Sequence, residues 1–274
     1  MENMTSVKKM IGGRTDSGKE IDIYRISNNR GAYIDVSTYG CAVLAMGVYR
    51  RDGELQDVIH APEAGRISVG GDWHTPLDEL AWDARSGEDT SMVFSAQAEE
   101  DGAVLTAEVR FRMKDLDRLV IDYNVTCSQP RRVYLTHRLG FRLDSGSTPG
   151  AQKMRVFAAN EVDDAGSVTP VRRELVSNMD YTPLRQGRQA YWSQEADIHP
   201  FVELASDETD LALTAYTTMP AMAMTPDANG GACFEAFVPV GASCPDTART
   251  VYGMDLLYHA DGKAAGNPFM FFMG

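Results

Sequence analysis

In this 274-residue chain, the residues whose types and positions suit them to chemistry are one carboxylate in an apolar strand and a few histidines. Glu235 is the only charge in ACFEAFVPV, Ala232 to Val240. A lone carboxylate there is costly unless it meets a partner or a polar cavity. Partial burial would raise its pKa toward the range of a useful proton acceptor; an arginine partner would instead make it one half of a structural ion pair. His137 lies in YLTHRLGFRL, Tyr134 to Leu143. Strand alternation puts it on the face of Leu135 and Leu139, with Thr136, Arg138 and Gly140 on the other. A catalytic acid and a hydrogen-bonded sheet histidine both fit that pattern. An acid and a base of different character, set on either side of one reacting centre, is what proton-transfer catalysis requires.

The other motifs that carry chemistry are missing. There is no G-x-G-x-x-G after a strand, no P-loop, no HExxH and no G-x-S-x-G elbow. Cys41, Cys127, Cys233 and Cys244 are far apart and show no ligand spacing. Neither a metal nor a cofactor is expected.

The elements that must position Glu235 and His137 are strands. Period-two runs recur through EIDIYRI, AYIDVS, LVIDYNVTC, MRVFAAN, FVELAS and LALTAYTT, with Gly, Asp, Asn and Pro at the junctions. Ser91–Ala98 and AVLTAEVRFRM, joined at Glu100-Asp101-Gly102, read as a hairpin. A convincing amphipathic helix is absent; the best candidate, Leu77–Ala84, LDELAWDA, is short. The polar stretch from Asp163 to Ser193 reads as an irregular loop across one end. The fold class expected is all-β, a large antiparallel β-sandwich formed by residues 1–274 as a single domain, whose concave face is a natural ligand site.

Hydrophobic residues make up 43% of the chain, enough for a large core. The formal net charge of −13 repels phosphate backbones and anionic lipid, so neither nucleic acid nor membrane is an expected partner. Scattered cysteines suggest reduced thiols and a cytoplasmic location. MENMTSVKKMIGG lacks the apolar run of a signal peptide, and no segment approaches the roughly 18 apolar residues of a membrane helix. The sequence leaves the oligomeric state open.

Read in order, the segments resemble the aldose 1-epimerase, galactose mutarotase-like family. Ile26–Ala61 is similar to the family's opening, with its Asn-rich turn, YGA-type turn and Asp-Gly hairpin. Leu119–Leu143 resembles the region ending in LTNHSYFNL. Met154–Gly187 resembles a proline-containing turn followed by DF, and Leu211–Pro239 resembles the stretch that carries the family's glutamate. The resemblance covers most of the chain and implies a large β-sandwich. It also implies mutarotation of a small-molecule sugar: a base takes the anomeric proton, an acid protonates the ring oxygen, the ring opens, and it closes on the other face.

On this resemblance Glu235 is the catalytic base and His137 the catalytic acid, while Arg66, His74 and Asp197 hold the sugar hydroxyls. The departures are specific. A gapless match places His137 on the family's asparagine and Arg138 on its histidine. A bulge near Gly140 would return His137 to the site; without one, Arg138 takes the acid's place, and arginine releases no proton near neutral pH. Asp197 needs a similar adjustment, and His199 competes with it. Trp73 fits either a sugar platform or the core. Two alternatives follow: a carbohydrate-binding relative that has lost the acid, or an epimerase of a hexose phosphate or unusual sugar. The latter would draw on Arg172, Arg173, Arg185 and Arg188.

Overall fold

The computed structural model describes residues 6–60, 65–144, 152–171, 181–193, 195, 197–227, 230–256, 259–260 and 263–264. Among them every regular element is a strand. Three antiparallel sheets dominate, an all-β sandwich as the alternation predicts. The first, with five strands, runs Ser6–Arg14, Glu20–Ser27, Tyr33–Ser37, Val43–Tyr49 and Leu55–Asp57 in chain order. The second has nine strands, with Leu211–Thr217, Thr247–Leu256, Arg118–Cys127 and Ala103–Lys114 at its centre. The third has seven, ordered Val168–Pro170, Asn160–Val162, Gln189–Trp192, Ala221–Pro226, Ala232–Phe237, Val133–Phe141 and Ile67–Gly71.

The expected hairpin is present. Met92–Glu100 and Ala103–Lys114 pair around Asp101-Gly102, both with positive φ (51° and 75°), as a two-residue turn matched to strand twist requires. Leu105, Ala107, Val109, Phe111 and Met113 are buried, and Thr106, Glu108 and Arg110 alternate with them. Leu77–Ala84 is not a helix. Leu77–Leu80 turn, Ala81 bridges to Tyr39, and a strand starts at Asp83. Eight residues are too few to offset helix nucleation; the turn instead buries Leu77 and Trp82, whose indole donates to the Leu77 carbonyl at 3.1 Å. The stretch from Asp163 to Ser193 is more regular than expected, with three short strands, while residues 172–180 lie outside the described set.

One continuous apolar cluster draws on all three sheets. A file of rings crosses it: Tyr24 meets Phe94 at 5.9 Å, Phe94 meets Phe111 at 5.5 Å, and Phe111 meets His137 at 5.6 Å, each edge to face. The five-, nine- and seven-stranded sheets are thus joined ring by ring.

Candidate active site

The strand Val133–Phe141 decides what faces outward. Val133, Leu135, His137, Leu139 and Phe141 are buried in the core. Pairing with Ala232–Phe237 is unbroken from Arg138 opposite Glu235 to Phe141 opposite Ala232, with no register shift. The bulge that would bring His137 to the site does not exist. His137 is therefore corrected from catalytic acid to interior residue. Its Nε2 donates to the Cys41 carbonyl at 2.8 Å, which leaves Nδ1 to accept from the Tyr123 hydroxyl at 3.0 Å. Burial holds its pKa down at about 4, against a partial upward pull from the Cys41 carbonyl. The imidazole is neutral and fully bonded. It secures the turn at Tyr39-Gly40-Cys41, where Cys41 has a φ of 48°.

Residues opposite one another in an antiparallel pair project to the same side. Arg138 therefore shares the outer face with Glu235, and Ala223 and Ala190 continue the row across the next two strands. Arg66 precedes Ile67, which pairs with His137, so it falls at the register position beside Arg138. The row reads Arg66, Arg138, Glu235, Ala223, Ala190. Along its far side Ala190, Ala221 and Ala223 form a small apolar floor with Val162, edged by Trp192 and Phe237. These small side chains are themselves buried, and Trp192, half-buried beside them, is an aromatic edge suited to the apolar face of a ring.

The glutamate is half-buried. Burial pushes its carboxyl above the usual carboxylate range, and the charges of Arg138 and Arg188 only partly oppose this. It forms no hydrogen bond or ion pair with any described residue. A carboxylate flanked by guanidinium groups yet bonded to none is not the structural ion pair that the sequence left open. Arg66 and Arg138 likewise pair with no carboxylate among the described residues; Arg66 lies 5.0 Å over the Tyr39 ring. Arg188 sits 4.8 Å over the Phe237 ring, bonded to Asp164 at 2.8 Å.

The other sequence-derived candidates lie elsewhere. His74 is 83% exposed, on the loop before Asp83–Ser86, and its Nδ1 is 3.6 Å from Glu100. Its backbone matters more: Glu100 accepts from the N–H groups of His74 and Thr75 at 2.8 and 2.6 Å, from the Thr75 hydroxyl at 2.9 Å, and from Arg131 at 2.6 Å. Burial raises the Glu100 pKa, but those donors outweigh it and bring it to about 2. Trp73 is a core residue, buried with its indole bonded to the Thr75 carbonyl. Asp197 is exposed and lines a depression on the nine-stranded sheet with Glu108, Arg110, Asp122, Asn124 and Arg249. A bulge does occur nearby, between Pro200 and Val202, but in that other sheet; Asp197 is not brought to Glu235. His199 is buried against Phe201, its Nδ1 on the Asp197 carbonyl at 2.7 Å. Arg185 is bonded to Glu161 at 2.7 Å. With Arg188 held by Asp164, both described arginines of the phosphate alternative are partnered; Arg172 and Arg173 lie outside the described residues.

Sequence reasoning passed over Trp192 and the alanine floor. The signal was the alternation in Gln189–Trp192, where Tyr191 is fully buried and Ala190 and Trp192 face outward.

No protein-family model matches the chain, and no curated protein matches it. Solved structures do. An aldose epimerase homologue from C. elegans superposes with a TM-score of 0.68 at 16% identity, over 86% of this chain and 99% of its own. Galactose 1-epimerase from Lactobacillus acidophilus NCFM gives 0.67 at 15% identity, over 92% and 99%. A galactose mutarotase-like protein from Clostridium acetobutylicum gives 0.66 at 8% identity, over 93% and 99%. The chain has the fold of these proteins.

Proposed function

We propose that the outer face of the seven-stranded sheet binds a sugar and that Glu235 acts as a base at its anomeric hydroxyl, in aldose 1-epimerase chemistry. The observation that carries this is the half-buried, unbonded carboxylate with a raised pKa beside a small apolar floor. A carboxylate held in that state is a better proton acceptor than an ordinary exposed one. The fold supports the reading, because solved structures of the same architecture bear the names galactose 1-epimerase and aldose epimerase homologue. Arg66 and Arg138 are placed to donate to hydroxyls next to the reacting carbon. His74 and Asp197 have no part in this site.

A second reading has one specific observation in its favour. Arg138, not a histidine, stands opposite Glu235, and arginine is not an acid. A protein that binds sugar without turning it over would look like this if no other acid were supplied. Polarimetry of freshly dissolved α-D-glucose and α-D-galactose separates the two. Mutarotation faster than buffer, lost in Glu235→Gln, supports the epimerase. Saturable binding by calorimetry with no acceleration supports the binding protein, and neither effect removes both.

A further inference from the structure

We infer that His60 is the proton donor of this site, the group that protonates the ring oxygen while Glu235 takes the anomeric proton. The inference rests on the function proposed for Glu235.

The position of His60 follows from pairing. Ile59 bridges to Phe141 antiparallel, and the His60 N–H donates to the Gly140 carbonyl at 2.7 Å. His60 therefore lies opposite Gly140, as Cys233 does on that strand's other side. Gly140 is two residues from Arg138, on the same outward face. The line His60, Gly140, Cys233 is thus the row next to Arg66, Arg138, Glu235. Same-face neighbours along a strand are about 7 Å apart. His60 and Glu235 flank the strand Val133–Phe141 on opposite sides, so they are offset by about 7 Å along the strands and about 9.5 Å across them, a backbone separation of about 12 Å. An imidazole and a carboxylate leaning toward each other over the strand narrow this to the span of a sugar's anomeric and ring oxygens with a hydrogen bond of about 2.8 Å to each.

The residues between and behind His60 fit the role. Gly140 has no side chain; a Cβ there would stand 2.4 Å from the His60 carbonyl oxygen and 3.3 Å from the Cys233 sulfur. Glycine lets the His60 backbone approach the strand, close over Gly140 itself, which is buried. The imidazole is half-buried, 21% exposed, with Nε2 3.6 Å from Asp227 Oδ2. Asp227 is fixed in turn, accepting from the Gly231 N–H at 3.1 Å. The carboxylate stands behind one ring nitrogen, which leaves Nδ1 for the ligand. Among the described residues the other charged or titratable groups on this face include Cys233, Arg66, Arg138, Arg188, Tyr134 and Glu235.

The proton balance closes without a cofactor. Glu235 takes the proton from the anomeric hydroxyl, the bond from the anomeric carbon to the ring oxygen breaks, and His60 delivers its proton to that oxygen. The carbonyl end rotates. Closure returns one proton from the ring-oxygen hydroxyl to His60 and the other from Glu235 to the new anomeric hydroxyl.

The test uses the full chain, its His60→Asn and His60→Gln variants, and Glu235→Gln. With D-galactose, both His60 variants should lose about 100-fold or more in kcat with KM changed little, and added imidazole should restore part of the rate. Glu235→Gln should be equally slow and unrescued by imidazole. His60 variants within twofold of the wild type, beside an inactive Glu235→Gln, overturn the role of His60 and leave the proposed function standing. If the wild-type protein does not accelerate mutarotation, the proposed function fails and the role of His60 as proton donor fails with it.

Discussion

Glu235 and His137 show how burial assigns roles. Glu235 keeps a carboxylate half-buried with no bonding partner, and the fold bears the cost. Its pKa is raised on folding, so the penalty is absent well below the ordinary 4.5, grows as pH rises through the folded pKa, and is constant above it. Glu235→Gln should therefore raise the thermal midpoint at pH 8 and leave it unchanged at pH 4, while abolishing mutarotation; calorimetry at the two pH values reads the first effect. His137 behaves in the opposite sense. Unfolded it titrates near 6.5 and folded at about 4, so the unfolded chain binds the extra proton between those values. The stability this provides is whole above about pH 6.5 and is lost as pH falls toward 4, and the gap corresponds to about 3 kcal/mol. Urea titrations from pH 4 to 7 should show this slope in the wild type and a flatter one in His137→Leu. That variant should also lose about 2–4 kcal/mol at pH 7, because the Cys41 carbonyl and the Tyr123 hydroxyl are left without their partner. Sugar binding by folded His137→Leu should match the wild type.

At the scale of elements, the site is the meeting of strands distant in sequence, and a few side chains fix their seams. Gly140 is one such seam. Gly140→Ala would set a methyl group against the His60 carbonyl, so it should destabilise the protein by about 1–3 kcal/mol, read as a lower urea midpoint. Glu100 is another, tying the His74 loop to the hairpin through four donors. Its depressed pKa means that this clamp is whole above about pH 4.5 and loosens as pH falls toward 2. Amide hydrogen exchange at His74 and Thr75 should accelerate over that window, and in Glu100→Gln at neutral pH. The strands themselves were legible in the sequence, because alternation and turn residues are local. The hairpin at Asp101-Gly102 and the grouping of His137 with Leu135 and Leu139 were both readable. What sits across from a strand is not local. Nothing near His60 announces that it pairs with Gly140, and nothing near Asp197 announces that it lies beside strands of the nine-stranded sheet. The absence of a convincing helix was legible too: Leu77 and Trp82, the two large side chains that the turn buries, are five apart, not the three or four of a helical face.

For the molecule as a whole, the three large sheets share one apolar interior and the file of rings that crosses it. This supports the view that they form a single cooperative unit. Phe94 stands in that file with no exposed surface. Phe94→Ala should cost about 3–5 kcal/mol, and circular dichroism and tryptophan fluorescence should still report one coincident transition. Two transitions would show that the sheets melt separately. The file ends on His137, one residue from Arg138, so interior and surface are written in adjacent letters of a single strand. Inserting or deleting one residue ahead of this pair would turn the guanidinium inward and the imidazole outward, forfeiting the bonds to Cys41 and Tyr123 together with the ring contact. The reading frame of the strand is thus locked by its inner face. Evolution can revise the chemistry of the outer face by replacing residues where they stand, but cannot do so by sliding the chain.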